Sequence, residues 1–157
     1  MSTLDLEHQV CHSLYSVTNA LIRAYRPLLK PLGLTYPQYI VMLSLWQEDN
    51  ISVKALSSHT RLDSGTLTPI LKRLEKQGLL TREVFGEDER QKRLVLTKEG
   101  KKLKKIAETV PAQISCATVG DSKGRGLSDK ALKDQQLKNA KKLKQLCESL
   151  FHVLTER

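Results

Sequence analysis

The sequence predicts a mainly α-helical protein of the α+β class, built as a winged helix-turn-helix with further helices at both ends. Three observations predict it. Two short amphipathic segments separated by a polar turn occupy residues 53–77. Two β-prone segments around a charged turn follow in residues 79–97. Long apolar stripes lie on both sides of this unit, and they predict helices that pack against something larger than the motif itself.

The first helix of the motif is predicted from Val53 to Thr60, with Val53, Ala55 and Leu56 directed toward a core. Ser52 precedes it and can accept a hydrogen bond from its first free N–H groups. A polar turn at residues 61–63 then leads to the next helix.

The second helix is predicted from Ser64 to Gln77, ended by Gly78 as a C-cap. Its apolar residues recur at i, i+3, i+4 and i+7, and are Leu67, Ile70, Leu71 and Leu74. Pro69 conflicts with a helix interior, where it costs roughly 3 kcal/mol. Because Pro69 lies in the second turn, we expect it to shorten or bend the start of the helix.

The wing is predicted as strands Leu79–Phe85 and Lys92–Thr97 around a turn at residues 86–91. Before the motif, we predict a helix at Asp5–Leu29 and a helix at Tyr36–Gln47, the second with a Thr35/Gln38 capping box. After the wing, Thr97 caps a helix that carries Leu103, Ile106 and Val110 toward Pro111. A loop at Ala117–Asp129 then leads to a last helix, which is capped by Ser128 or Asp129 and continues past Val153. We predict one domain over residues 1–157, with a DNA-binding lobe at about 35–100 and dimerisation helices at about 1–34 and 101–157.

Charge is unevenly distributed along the chain. The sequence holds 26 Lys and Arg against 17 Asp and Glu, and residues 61–105 alone hold thirteen against seven. A basic segment such as residues 101–105 can simply be a solvated helix face. Its coincidence with a helix-turn-helix and a wing favours double-stranded DNA as the partner. No apolar run reaches the 18 or so residues of a membrane span and the N-terminus lacks signal-peptide features, so we expect a soluble, cytoplasmic protein.

The three cysteines, Cys11, Cys116 and Cys147, lack the spacing of a zinc site or a disulfide framework. Cys147 lies among leucines and is predicted to be a small buried hydrophobe. Cys11 has Tyr15 one turn away, and all four tyrosines lie between residues 15 and 39. A phenol can donate a hydrogen bond to a thiolate and favour that charged form, so Cys11 is a candidate reactive thiol.

The chain resembles MarR-type repressors and, among them, the organic hydroperoxide resistance regulators. The likeness covers nearly the whole chain and is most specific at His8–Tyr15 around Cys11, Tyr25–Leu29, Leu34–Tyr39, Leu62–Pro69 and Asp88–Arg90. The apolar stripes of the outer helices favour pairing with a second copy, and two recognition helices one helical turn apart would read a palindromic operator. The resemblance implies an organic hydroperoxide as inducer, and no cofactor or metal is expected.

The resemblance also implies roles for individual residues. Cys11 would be the peroxidatic thiol, with Tyr25 and Tyr36 hydrogen-bonding its sulfur and one of these tyrosines supplied by the partner subunit. Cys116 stands where two-cysteine members keep the cysteine that closes an intersubunit disulfide. Oxidation would then release the operator.

The residues expected to contact DNA lie on the second helix and the wing. We place Ser64, Thr66, Thr68 and Lys72 near the major groove, Arg73 and Lys76 nearer the phosphates, and Arg90, held by Asp88, at the wing tip. From their chemistry alone, Asp88 and Arg90 are expected to form a surface ion pair that contributes under about 1 kcal/mol to stability.

Three other functions compete with this prediction. A MarR-type repressor could instead be released by a phenolic or anionic small ligand, with Cys11 incidental. A thiol peroxidase is disfavoured because no arginine accompanies Cys11 at motif spacing and the winged helix would have no role. An architectural DNA-coating protein would show no operator preference.

Overall fold

The computed structural model describes residues 5–84, 92–119 and 129–155. The chain divides into two compact units, Met1–Ile114 and Ser115–Arg157. The helices are α1 (Val10–Leu29), α2 (Tyr36–Gln47), α3 (Val53–Thr60), α4 (Ser64–Lys76), α5 (Lys98–Ala107), α6 (Val110–Val119) and α7 (Asp129–Thr155). The strands are β1 (Ile51–Ser52), β2 (Leu80–Val84) and β3 (Lys92–Leu96).

Helices α2 and α3 begin and end where the sequence predicts, because their caps are present. The Thr35 N–H donates to Oε1 of Gln38 over 2.8 Å, the reach-back bond of a capping box. Ser52 Oγ accepts from the Ala55 N–H over 3.1 Å. Each cap satisfies a backbone N–H that the first turn of a helix leaves free.

Helix α4 confirms the predicted start at Ser64 and ends at Lys76, one residue earlier than predicted. Gly78 follows with φ +70°, and its N–H donates to the carbonyl of Glu75 over 2.9 Å. The Leu79 N–H donates to the carbonyl of Leu74 over 3.0 Å, which completes a Schellman motif. Pro69 lies inside the helix and does not shorten it.

The sheet contains a strand that sequence patterning missed. Its order is β1-β3-β2, with antiparallel pairs Ile51 to Leu94 and Leu80 to Leu96. β1 has only two residues, too few to show an alternating pattern. The predicted strand ends also move inward: Leu79 precedes β2, Thr97 follows β3 and caps α5, and Phe85 lies outside the described residues.

The core of the first unit lies between α2, α3, α4 and the inner face of the wing. Its largest fully buried side chains are Leu29, Met42, Leu45, Leu56, Leu67, Leu71, Leu74, Leu80, Leu94, Val41 and Val110. The apolar stripe of α4 supplies three of them, as its periodicity predicts. The opposite face of α4 is thereby left toward solvent.

Four predictions about the outer segments were wrong. Residues 6–8 form a separate 3₁₀ turn, because Gln9 is extended, so α1 starts at Val10. The helix after the wing ends at Ala107, and Pro111 lies in the first turn of α6, where the backbone N–H that proline lacks has no partner within the helix. Ile106, predicted to face the core, is 54% exposed. Residues 117–119 belong to α6 rather than to a loop, while residues 120–128 lie outside the described part.

The fourth error concerns Cys147, which is exposed rather than buried. Its neighbour Leu146 is also exposed, as is Leu150, because the apolar residues of α7 are largely uncovered in the single chain. Among the described residues, no helix is both long enough and apolar enough to span a bilayer.

Candidate DNA interface and thiol site

The outer face of α4 carries the residues predicted to contact DNA. Side chains of Leu67, Leu71 and Leu74 are at most 1% exposed and anchor the helix to the core. The predicted contact residues are all exposed, namely Ser64, Thr66, Thr68, Lys72, Arg73 and Lys76. The helix therefore presents hydroxyl groups in its first turns and positive charge in its last turns.

The start of α4 is held by Asp63, which belongs to the predicted polar turn and is the N-cap of the helix. Asp63 Oδ1 accepts from the Thr66 N–H over 2.8 Å, and Oδ2 accepts from the Thr66 hydroxyl over 2.7 Å. These two bonds hold the pKa of Asp63 below its usual value. The signal was available, because an aspartate directly before an amphipathic run is a standard N-cap.

The wing is tied to α4 through Arg82 of β2. Arg82 Nε lies 3.4 Å from Glu75 Oε2, an ion pair that lacks hydrogen-bond geometry. Since Glu75 is on α4, this contact fixes the base of the wing beside the recognition helix. The predicted wing-tip residues Asp88 and Arg90 lie outside the described residues.

The end of α2 is joined to the wing and to α5 through Asp49. Its carboxylate accepts from the N–H groups of Leu96 and Asn50, both over 2.8 Å, and lies 3.0 Å from Lys101 Nζ. Burial alone would raise the pKa of Asp49, but the bonds from Leu96, Lys101 and Asn50 lower it. A second link runs from Trp46 Nε1 to the carbonyl of Gly100, at 2.8 Å.

Three of the four tyrosines form a cluster where α1 and α2 meet. The ring centroids of Tyr25 and Tyr36 are 4.8 Å apart, and those of Tyr25 and Tyr39 are 5.9 Å apart. Burial raises the pKa of Tyr25, with a further contribution from the nearby Tyr36, and burial likewise raises the pKa of Tyr36 and of Tyr39. These phenols therefore keep their protons at neutral pH and remain hydrogen-bond donors.

Cys11 lies far from this cluster within one chain. It is exposed in the first turn of α1, fourteen residues before Tyr25 on the same helix. At 1.5 Å per residue, the two positions are about 21 Å apart along the helix axis. The ring of Tyr36 lies against that of Tyr25 at a tilt of 47°, so Tyr36 is also remote from Cys11. The side chain of Cys116, whose backbone lies in α6, is outside the described part of the structure.

An open cavity of about 350 Å³ lies beside the tyrosine cluster, between α2, α5 and the start of α6. It is lined by Tyr39, Leu43, Trp46, Gln47, Lys104, Ala107, Glu108 and Pro111. Lys104 Nζ also donates to the carbonyl of Trp46 over 3.0 Å. In the described ranges, no group of three or more His, Cys, Asp or Glu side chains could hold a metal ion.

Comparison with known proteins agrees with this geometry. Residues 34–92 match the MarR family. The chain is 44% identical over 130 residues to the organic hydroperoxide resistance transcriptional regulator of Bacillus subtilis strain 168, covering 83% of this chain and 86% of that protein.

Solved structures of AbfR, a protein of Staphylococcus epidermidis, are similar in fold and sequence. Reduced AbfR bound to DNA has a TM-score of 0.66 and 33% identity, covering 93% of this chain and 94% of that one. Disulfide-formed AbfR has a TM-score of 0.65 and 32% identity, covering 94% and 92%. The present chain therefore belongs to the MarR family and is a DNA-binding transcriptional regulator rather than an enzyme.

Proposed function

We propose that this protein is an organic-hydroperoxide-sensing repressor whose reduced homodimer binds a palindromic operator and whose oxidation at Cys11 releases it. The proposal rests on one observation: the first turn of α1 carries an exposed thiol, and the other end of the same helix lies in a cluster of protonated phenols. The identity to the Bacillus subtilis regulator and the disulfide-formed state of AbfR support it.

A dimer would bring the thiol and the phenols together. Val10, Leu14 and Val17 recur at i, i+4 and i+7 on α1 and are 67%, 39% and 61% exposed in the single chain. An apolar stripe of this kind is stabilised by burial against a second copy. If two α1 helices pack antiparallel about a two-fold axis, the first turn of one lies beside the last turns of the other.

This arrangement changes one detail of the expected thiol site. Because Tyr25 and Tyr36 lie together and far from Cys11 of their own chain, both would come from the partner subunit in the proposed dimer. Their O–H groups would donate to the Cys11 sulfur and stabilise its thiolate. Tyr15, one turn beyond Cys11 and exposed, is the tyrosine that the same chain can offer.

The proposed chemistry has two steps. The Cys11 thiolate attacks the outer oxygen of the hydroperoxide, the O–O bond breaks, and the alkoxide leaves as an alcohol after taking a proton. The sulfur has lost two electrons and is a sulfenic acid. The Cys116 thiol of the other chain then attacks that sulfur, so that an S–S bond forms and water leaves.

Disulfide formation would act on DNA binding through geometry. Bridging requires the two α-carbons to lie within about 7 Å of one another. If the reduced dimer holds them further apart, the helices that carry them must move, and the two recognition helices move with them. Operator half-sites have a fixed spacing, so such a displacement weakens binding.

Non-reducing electrophoresis with peptide mass spectrometry tests the pairing. One equivalent of cumene hydroperoxide should convert wild type to a covalent dimer linked between Cys11 and Cys116. Cys11→Ser and Cys116→Ser should stay monomeric under denaturing conditions, and Cys147→Ser should behave as wild type. A covalent dimer that forms through Cys147 would contradict the proposed pairing.

The cavity beside the tyrosines favours one other function, release by a small aromatic anion. Its lining combines aromatic rings with Lys104, a set that suits an aromatic carboxylate. This function predicts that benzoate weakens operator binding equally in wild type and in Cys11→Ser. The peroxide-sensing proposal predicts that Cys11→Ser loses the response to hydroperoxide.

A further inference from the structure

We propose that the first half of α4 reads thymine methyl groups in the major groove, through the ring of Pro69 and the methyl group of Thr68. The inference concerns the reduced, DNA-binding state and does not depend on the redox switch. Contacts of these two side chains with thymine methyl groups would contribute to operator specificity.

The first half of α4 has no side chain that can make the strong hydrogen-bonded base contacts. Recognition helices contact base edges mainly with their N-terminal residues. Residues 64–71 contain no Arg, Lys, Asn, Gln, Asp or Glu, and the first basic residue is Lys72. Bidentate contacts to guanine or adenine are therefore unavailable to this part of the helix.

The threonine hydroxyl protons on this segment are already in use. The Thr68 hydroxyl donates to the Ser64 carbonyl over 2.7 Å, and the Thr66 hydroxyl donates to Asp63 over 2.7 Å. Donation from these groups to a base would require breaking an internal hydrogen bond. Thr68, an exposed residue, is left with its methyl group and the acceptor side of its hydroxyl oxygen.

Pro69 is central to the outward face of α4. It is exposed, and successive positions at 100° place it opposite the buried Leu67, Leu71 and Leu74. A proline inside a helix removes a backbone hydrogen bond, so its presence here is unfavourable for the helix itself. A role in contacting DNA would account for that residue. Gly65, one turn earlier on the same face, leaves room for the helix to approach the groove.

Apolar side chains discriminate base pairs by touching the 5-methyl group of thymine, which cytosine, adenine and guanine lack. Burying one methyl-sized group contributes a factor of about four in affinity. Operators should therefore carry a thymine at the positions that face Thr68 and Pro69, once in each half-site.

Replacement of thymine by deoxyuridine tests the proposal, because it removes the methyl group and leaves base pairing intact. The probe is the duplex most enriched from a random-sequence pool by the full-length reduced chain. Each thymine is replaced singly by deoxyuridine, and affinity is measured for wild type, Thr68→Val, Thr68→Ser and Pro69→Ala. Wild type should lose about four-fold affinity at one or two positions per half-site.

The variants separate methyl contact from other roles. Thr68→Val keeps a methyl group at this position and should keep the deoxyuridine sensitivity of wild type. Thr68→Ser should lose about four-fold affinity and its sensitivity at one position. Pro69→Ala should raise the melting temperature yet weaken binding and remove sensitivity at a position of its own. A salt dependence equal to that of wild type would show that phosphate contacts are unchanged.

Three results would overturn the proposal. They are an enriched site without thymine in the half-sites, wild-type affinity that deoxyuridine leaves unchanged at every position, and a Thr68→Val protein that loses affinity while Thr68→Ser keeps it. The last result would assign the contact to the hydroxyl oxygen.

Discussion

Gly100 shows how a single residue can depend on contacts that are distant in sequence. Its N–H donates to Thr97 Oγ1 over 3.0 Å, and its carbonyl accepts from the indole of Trp46. A Cβ added at this position would collide with the backbone carbonyl of Leu79. In the sequence, Gly100 is only a helix glycine, because nothing local indicates that the chain at residue 79 passes so close.

Gly100→Ala should destabilise the protein by about 1–3 kcal/mol, the usual cost of overpacking against a backbone that cannot move freely. Chemical denaturation monitored by circular dichroism measures the change. Lys105→Ala, an exposed position on the same helix, serves as control and should stay within about 0.5 kcal/mol. Equal stability of the Gly100→Ala and wild-type proteins would contradict the close approach.

The phenols of the tyrosine cluster make a second prediction at this scale. Tyr25→Phe and Tyr36→Phe keep the ring contact but remove a hydrogen bond to the proposed thiolate. Such a bond to a charged group contributes about 1.5–3 kcal/mol, so oxidation of Cys11 by cumene hydroperoxide should slow by about ten-fold or more. Stopped-flow measurement of the oxidation rate tests this.

Tyr39→Phe is the matched control for these two variants. Tyr39 belongs to the same cluster but is only 3% exposed, so its hydroxyl is not available to a partner subunit. Its oxidation rate should stay near that of wild type. Slowing of all three variants by the same factor would indicate a general packing effect instead of hydrogen bonds to Cys11.

At the scale of elements, segments with a local cap were predictable and segments defined by tertiary contact were not. Thr35 with Gln38, and Ser52, mark the starts of α2 and α3, and both helices match the prediction. β1 escaped prediction because its two residues become a strand only by pairing with β3. Pro111 was misread as the end of a helix, although a proline suits the first turn of a new one.

Asp49 connects three elements, and its charge has a predictable pH signature. Its folded pKa is lowered, so the stabilisation is present above the unfolded value and is lost as pH falls through the folded value. Asp49→Asn should cost about 1 kcal/mol at pH 7, since charge-assisted bonds at a partly exposed site become neutral ones. The difference from wild type should shrink as the pH falls below 3.8, the usual pKa of an aspartate.

Denaturant unfolding of Asp49→Asn and wild type at pH 7 and at pH 3 measures this difference. Glu99→Gln is the control, because Glu99 pairs with Lys102 over 3.0 Å on an exposed surface and should matter little at either pH. A gap between Asp49→Asn and wild type that is the same at both pH values would show that shape, not charge, holds the junction of α2, β3 and α5.

At the scale of the whole molecule, the proposed dimer explains the exposed apolar side chains of α1. Val17→Glu places a charge on the stripe formed with Val10 and Leu14, and should give monomers with weakened operator binding. Sedimentation velocity measures the mass. Ser16→Glu adds the same charge on the other side of the helix, where Ser16 contacts His12, and should leave the dimer intact. A Val17→Glu dimer would argue against pairing through this face.

The parts of the candidate site that lie on one helix were predictable from the sequence, and the parts that combine different elements were not. The exposed face of α4 follows from the periodicity of its leucines, and the structure confirms the exposure of all six residues assigned to it. One of Tyr25 and Tyr36 was expected from the partner subunit, whereas the structure places both far from Cys11 of the same chain. Residue types and short motifs do not reveal this distance, which follows from the length of α1.

The central claim is that oxidation of Cys11 releases the operator. Its most direct test is the dissociation constant for the enriched duplex, measured by fluorescence anisotropy before and after one equivalent of cumene hydroperoxide, on wild type and on Cys11→Ser. We predict that wild type loses at least about ten-fold affinity, a change of about 1.4 kcal/mol, and recovers it with dithiothreitol, while Cys11→Ser binds equally before and after. An unchanged wild-type affinity after complete oxidation of Cys11 would contradict the account.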